Sequence, residues 1–150
     1  MINLQCITES GQEINLDIIE FAIHSTLTCF EKQDLDLTLR LTNNDEIQFL
    51  NRKYRNMDDV TDVLSFNQDF VDPATGRYYL GDIIISIEKA EQQAGLNQIS
   101  LDEECAFLAI HGTLHLLGFD HGSAESKQEM WQHQDAIYLK VRQNYKEKKQ

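Results

Sequence analysis

The sequence predicts an α+β fold: one small mixed β-sheet covered by helices. Three observations carry this. Residues 35–41 alternate strictly between apolar and polar, which marks a half-buried strand. Residues 62–66 and 80–86 are strand-like and joined by a short connection holding the turn Asp72-Pro-Ala-Thr-Gly76, as in an antiparallel hairpin. Strand and helix signals do not alternate regularly elsewhere, which argues against a doubly wound sheet.

Taken in order, Ile2, Leu4 and Cys6 alternate with polar neighbours and suggest a first strand. Residues 16–30 place apolar side chains at 19, 22, 23, 27 and 30, with Thr26 on the same face, a helical spacing. After the strand at 35–41, Asn43-Asn-Asp-Glu46 caps a helix with Ile47, Leu50 and Tyr54 on one face. The isoleucine run at 83–85 predicts a strand covered on both faces. Residues 87–94 follow as a helix closed by Gly95. Ser100-Leu-Asp-Glu103 is a capping box, and the helix it opens is apolar on all sides through residues 105–110, so it belongs in the interior. Ser123 caps a last helix whose inner face carries Met130, Ile137 and Val141.

At 150 residues the chain is long enough for one domain with a real core, and no linker, repeat or low-complexity tract divides it. No apolar run approaches the length of a membrane span, and the first residues have neither the basic start nor the apolar stretch of a signal peptide. Cys6, Cys29 and Cys105 are scattered within apolar patterns, which suggests reduced core thiols in a cytoplasmic protein. The net charge of −12 argues against broad non-specific affinity for nucleic acid. Local basic groups remain. Arg52, Lys53 and Arg55 cluster mid-chain, and Lys140, Arg142, Lys146, Lys148 and Lys149 crowd the C-terminus, where a solvated, frayed tail is the simpler expectation.

The densest chemistry lies in His111-Gly-Thr-Leu-His115-Leu-Leu-Gly118-Phe-Asp120-His121. His111 and His115 are four apart and share one helix face. Gly118 can end that helix and return the chain, so that His121 supplies a third imidazole. Three imidazoles with one open position are a catalytic zinc set, and polar rings in so apolar a helix need partners. One zinc ion per chain, in a zincin-like helix at the core, is therefore expected, although imidazole suits other divalent transition metals as well. The same histidine spacing occurs in metzincin proteases, where a Glu follows the first histidine as general base. Here that position is Gly112, which cannot take a proton.

Further segments carry a resemblance. Asn51-Arg-Lys-Tyr-Arg55, Asp58, Thr61-Asp-Val-Leu-Ser-Phe66, Leu80-Gly-Asp-Ile83 and the histidine motif run in the order seen in the YbeY-type endoribonucleases of bacterial rRNA maturation, which the chain resembles. The resemblance implies zinc ligation by His111, His115 and His121 and a motif arginine at Arg55. It also implies metal-dependent cleavage of single-stranded RNA, tied to 16S rRNA 3′-end processing and ribosome quality control. Two positions depart from the family's usual pattern: Met57 replaces a lysine and Val60 a proline.

For phosphodiester chemistry a guanidinium opposite the metal is useful, because charge develops on the phosphate, and Arg55 is the candidate. Asp82 and Asp120 could orient ligand histidines, Asp120 could equally stabilise its turn, and Asp62 has either role open to it. The expected partners are rRNA and the ribosome or a basic ribosomal protein, with neither membrane nor DNA. The competing readings are a metzincin-like hydrolase or protease, a hydrolase of a small substrate, and a non-catalytic ribosome-associated factor that uses zinc to hold its fold.

Overall fold

A computed structural model describes residues 1–6 and 13–148. They form an α+β fold with nine elements: β1 (Ile2–Cys6), α1 (Leu16–Cys29), β2 (Asp36–Thr42), α2 (Asn44–Arg55), β3 (Val63–Val71), β4 (Tyr78–Ser86), α3 (Ile87–Asn97), α4 (Leu101–Leu116) and α5 (Ala124–Lys148). The sheet order is β1-β2-β4-β3. β1 and β4 both run parallel to β2, and β3 pairs antiparallel with β4, so the sheet is mixed and the expected hairpin is present.

Side-chain alternation decides what lies on each face. Leu37, Leu39 and Leu41 of β2 and Ile83 and Ile85 of β4 enter the main core with α1, α4 and α5. Ile84 of β4 and Leu64 of β3 point the other way and meet Ile47 of α2 in a smaller cluster. The isoleucine run is covered on both faces, as its composition requires. α4 is the central helix: Cys105, Ala106, Leu108, Ala109, Ile110 and Leu114 are all buried. Burial of this kind, at ~25 cal/mol per Å² of apolar surface, is what fixes the helix that carries the histidines.

The caps follow the sequence. Asn43 Oδ1 accepts from the Glu46 amide, Ser86 Oγ from that of Lys89, Ser100 Oγ from that of Glu103, and Ser123 Oγ from that of Ser126. Glu103 reaches the cap through the Ser100 hydroxyl, which donates to its carboxylate at 3.2 Å, and not through the Ser100 amide; the other carboxylate oxygen accepts from Arg142 Nε at 2.8 Å, which ties α4 to α5.

Four expectations are corrected. α3 runs through Gly95 to Asn97 and ends at Gln98, in the left-handed region at φ 57°, because the amides of Gln98 and Ile99 close back on Gly95 and Ala94. β3 extends well past residue 66, but its outer half is exposed, so no alternation marks it. Only Cys105 among the cysteines is in the core, where burial pushes its thiol up to about 12; Cys6 and Cys29 are exposed. The C-terminal basic stretch is helical to Lys148, with Arg142 paired to Glu103 and Lys148 over the Phe21 ring; Lys149 lies outside the described residues. Among the described residues, no helix is long and apolar enough to cross a membrane.

Candidate metal centre

α4 delivers His111 and His115 from its last turns, four residues apart on one face, with His115 on the groove that β3 also lines. The helix then stops. The amides of Leu117, Gly118 and Phe119 return to Thr113, His115 and Leu114, and Gly118 takes φ 101°, a conformation open to glycine. Asn67 Nδ2 of β3 donates to the Leu116 carbonyl at 2.8 Å, which satisfies one of the orphan acceptors of the helix end. The reversed chain carries His121 back over the other two. One nitrogen from each ring lies within 4.8 Å of the others, and the Nε2 atoms of His111 and His115 are 3.1 Å apart. Two nitrogens on one tetrahedral zinc at ~2.0–2.1 Å each stand ~3.3 Å apart, so the donor set fits such an ion.

The rings are prepared for that role. Burial pushes the His111 pKa down, and burial with the neighbouring imidazoles pushes that of His115 down to about 4, so both are neutral at pH 7. Neutral imidazole is the ligating form. His111 Nδ1 donates to Gln134 Oε1 at 2.7 Å, which leaves Nε2 with its lone pair toward the other rings. A hydrogen bond to the Phe119 backbone holds His115. His121 is exposed and forms the open wall.

Gln134 was not singled out in the sequence. It is a buried amide on the α5 stripe of Met130, Ile137, Val141 and Tyr145, and only the packing of α5 on α4 brings it to His111. The acidic candidates lie elsewhere. Asp82 projects to the α2 side of the sheet, since Ile83 takes the α4 side, and it accepts from the Tyr79 hydroxyl and Gln68. Asp120 accepts from the Gly122 amide and the Ser126 hydroxyl, which hold its carboxyl below the usual range and make it a turn residue. Asp62 accepts from the Val63 amide and Gln93 and makes no hydrogen bond to a histidine.

Arg55 closes α2 and lines the same open groove, of about 700 Å³, as His115 and His121. Its Nη2 donates to the Ser65 carbonyl at 2.5 Å, and its guanidinium lies 5.1 Å from the Phe66 ring centre. Met57, where the family pattern has lysine, is half exposed in this groove. Val60 packs on the Ile47, Leu64 and Ile84 cluster, which gives its loop an apolar anchor in place of a proline ring. Gly112 faces the sheet. A Cβ there would stand 2.7 Å from Ile83 Cγ2 and 3.1 Å from Ser65 Oγ, which donates to the Gly112 carbonyl. The close approach of α4 to β3 and β4 therefore excludes the metzincin glutamate on steric grounds as well as by sequence.

A family model described as Endoribonuclease YbeY matches residues 5–142. Among similar proteins, the Endoribonuclease YbeY of Heliobacterium modesticaldum is 41% identical over 137 residues, 81% of this chain and 78% of its own. That of Oceanobacillus iheyensis is 43% identical over 111 residues, 69% of this chain and 72% of its own. The solution structure of TM1509 from Thermotoga maritima, 24% identical, covers 99% of this chain and 93% of its own with a TM-score of 0.65, and shows the same fold. With a match over most of its length, a three-histidine cluster at the end of the central helix and an arginine lining the same groove, the chain belongs to the YbeY family of endoribonucleases.

Proposed function

We propose that this protein is a zinc-dependent endoribonuclease, a single domain over residues 1–150, that cuts single-stranded RNA in the cytoplasm. Its place is in 16S rRNA 3′-end maturation and ribosome quality control. The observation that carries the reading is the convergence of the His111, His115 and His121 nitrogens on one point at the edge of a groove that Arg55 also lines.

His111, His115 and His121 are the ligands. Zinc, when bound, supplies a Lewis acid for a phosphoryl oxygen and activates water at neutral pH. Gln134 fixes the tautomer and orientation of His111 through its Nδ1–H. Arg55 holds the scissile phosphate across the groove: one amino group is committed to the Ser65 carbonyl, which orients the guanidinium and leaves its other N–H groups for anionic oxygens. The net charge of −12 favours recruitment to RNA by the ribosome or a basic ribosomal protein over tight binding of naked rRNA. The protease alternative has no base at Gly112 and no room for one.

The test combines metal content with cleavage of a single-stranded RNA. Wild-type protein should carry about one zinc per chain and cut in a chelator-sensitive way. His115→Ala should lose zinc and cleavage together. Full cleavage by a zinc-free His115→Ala protein excludes the metal mechanism, and zinc-loaded wild type that leaves RNA intact favours the non-catalytic factor.

A further inference from the structure

The groove with the histidines continues onto a surface that no step above uses. The exposed side of α2 and the adjoining part of β3 alternate cations with aromatic rings. Phe49 and Tyr54 are about half exposed, at 49% and 58%. Lys53 Nζ lies 5.8 Å from the Phe49 ring centre and 5.2 Å from that of Tyr54. Tyr54 meets Phe66 edge to face at 5.5 Å, and Arg55 covers Phe66. The ladder therefore ends at the arginine that lines the histidine groove. Asn67 joins the two regions, since it borders both that groove and the neighbouring depression lined by Tyr54, Phe66, Gln68 and Asp82.

In a chain of net charge −12 such a cationic strip is unusual, and its cations are mostly uncommitted. Arg52 has Asp58 at 4.0 Å. Among the described residues, Lys53 and Arg55 have no carboxylate within ion-pair distance. Exposed rings beside cations that have no carboxylate partner, here Phe49 and Tyr54 with Lys53 and Arg55, are the complement of an unpaired nucleic-acid strand: the rings stack on bases and the cations meet the phosphates between them. A duplex offers the phosphates but hides the base faces. Asp82 in the neighbouring depression, its carboxylate held by the Tyr79 hydroxyl and Gln68, repels phosphate, which sets the backbone on the Lys53–Arg55 side.

We propose that Phe49, Lys53 and Tyr54, with Tyr54 braced edge to face on the part-buried Phe66, form a stacking track for an unpaired RNA strand, which leads the nucleotides flanking the scissile phosphate past Arg55 to the histidines. The proposal rests on the nuclease reading above and adds to it the surface that discriminates single strands from duplexes.

The test uses zinc-loaded protein and a fluorescein-labelled 2′-O-methyl oligoadenylate of about 12 nucleotides, within the usual site range, beside the corresponding duplex. Tyr54→Ala should raise the Kd for the single strand by about fivefold or more and leave the duplex Kd and zinc content unchanged. Tyr54→Phe should bind like wild type. Lys53→Gln should make the slope of log K against log salt shallower by about 0.7, the loss of one single-strand phosphate contact. If wild type binds and cuts RNA while Tyr54→Ala and Lys53→Gln match its Kd and slope, the track is wrong and the nuclease reading stands. Equal weakening toward single strand and duplex also overturns the track, because stacking is then not what Tyr54 provides. Zinc-loaded wild type that neither binds nor cuts RNA fails the nuclease reading and the track with it.

Discussion

His111 of α4 and Gln134 of α5 are joined across 2.7 Å by a hydrogen bond from Nδ1 to Oε1, so the last helix of the chain sets the orientation of the first histidine. Gln134 is 4% exposed, and water cannot readily take its place. Gln134→Leu should fold, since it puts an apolar side chain of similar size on an apolar stripe. It should weaken zinc binding by about 10–100-fold, as the ring loses its tautomer and its anchor. Chelator competition measures this directly. Gln134→Glu keeps an acceptor and should retain most of the affinity. Equal zinc affinity in Gln134→Leu and wild type would show that the amide does not position His111.

Gly112 yields a prediction of a different kind, because its constraint is contact and not backbone conformation. Gly112→Ala places a methyl group against Ile83 Cγ2 and Ser65 Oγ. Either α4 lifts from the sheet or the isoleucine leaves its rotamer, at a cost of about 1–3 kcal/mol. Urea unfolding of Gly112→Ala should show that loss, and Gly112→Glu should be worse and gain no peptidase activity. A Gly112→Ala protein as stable as wild type would mean that the approach of α4 to the sheet is looser than these distances require.

What the sequence made legible follows from what each signal measures. Apolar periodicity reports burial, so β2, α1 and α4 were visible, as was the double coverage of residues 83–85. The outer half of β3 was not, since it is held by pairing to β4 while its side chains face solvent. The three histidines were legible because their spacing encodes a helix turn and a reversal. The partner of His111 was hidden because it comes from a helix 23 residues away, and only packing brings the two together. Asp82 and Asp120 suit the ligand-orienting role in chemistry; sheet alternation turns the first away, and the turn after α4 occupies the second.

Acid should destabilise the metal-free protein in a window set by the histidines. The His115 pKa is near 4 in the fold against 6.5 for the free side chain, and that of His111 is shifted the same way. Between those values the unfolded chain binds more protons than the folded one, so stability rises with pH there. The contribution is complete above pH 6.5 and is lost as pH falls toward 4. Asp36 and Asp120, whose pKa values are also lowered, add their loss only below the ordinary carboxylate value of 3.8. Urea midpoints of chelated protein between pH 7.5 and 4.5 should decline, and His115→Ala should decline less. Parallel profiles for the two proteins would exclude His115 as a source of the acid sensitivity.

Glu104 predicts the opposite dependence. It lies two turns before His111 on α4, is 3% exposed, and accepts from Gln93 Nε2 at 2.9 Å. Gln93 also donates to Asp62, so two carboxylates share one amide. Burial is the main cause that raises the Glu104 pKa, and the charge of Asp62 adds to it. For an acid with a raised folded pKa, the folded state holds the extra proton, so stability falls as pH climbs from the ordinary glutamate value of 4.5 through the raised one. Above that range the buried charge is a standing cost. Glu104→Gln removes the charge and keeps an oxygen for Gln93 Nε2. Its Tm at pH 8 should exceed that of wild type by roughly 2–4 °C, about 1 kcal/mol in a chain of this size. The gain should vanish near pH 4, where wild-type Glu104 is itself neutral. A Glu104→Gln protein less stable than wild type at pH 8 would instead mean that the ionised carboxylate is stabilised where it lies, and that its hydrogen bonds from Gln93 and Asn97 outweigh its burial.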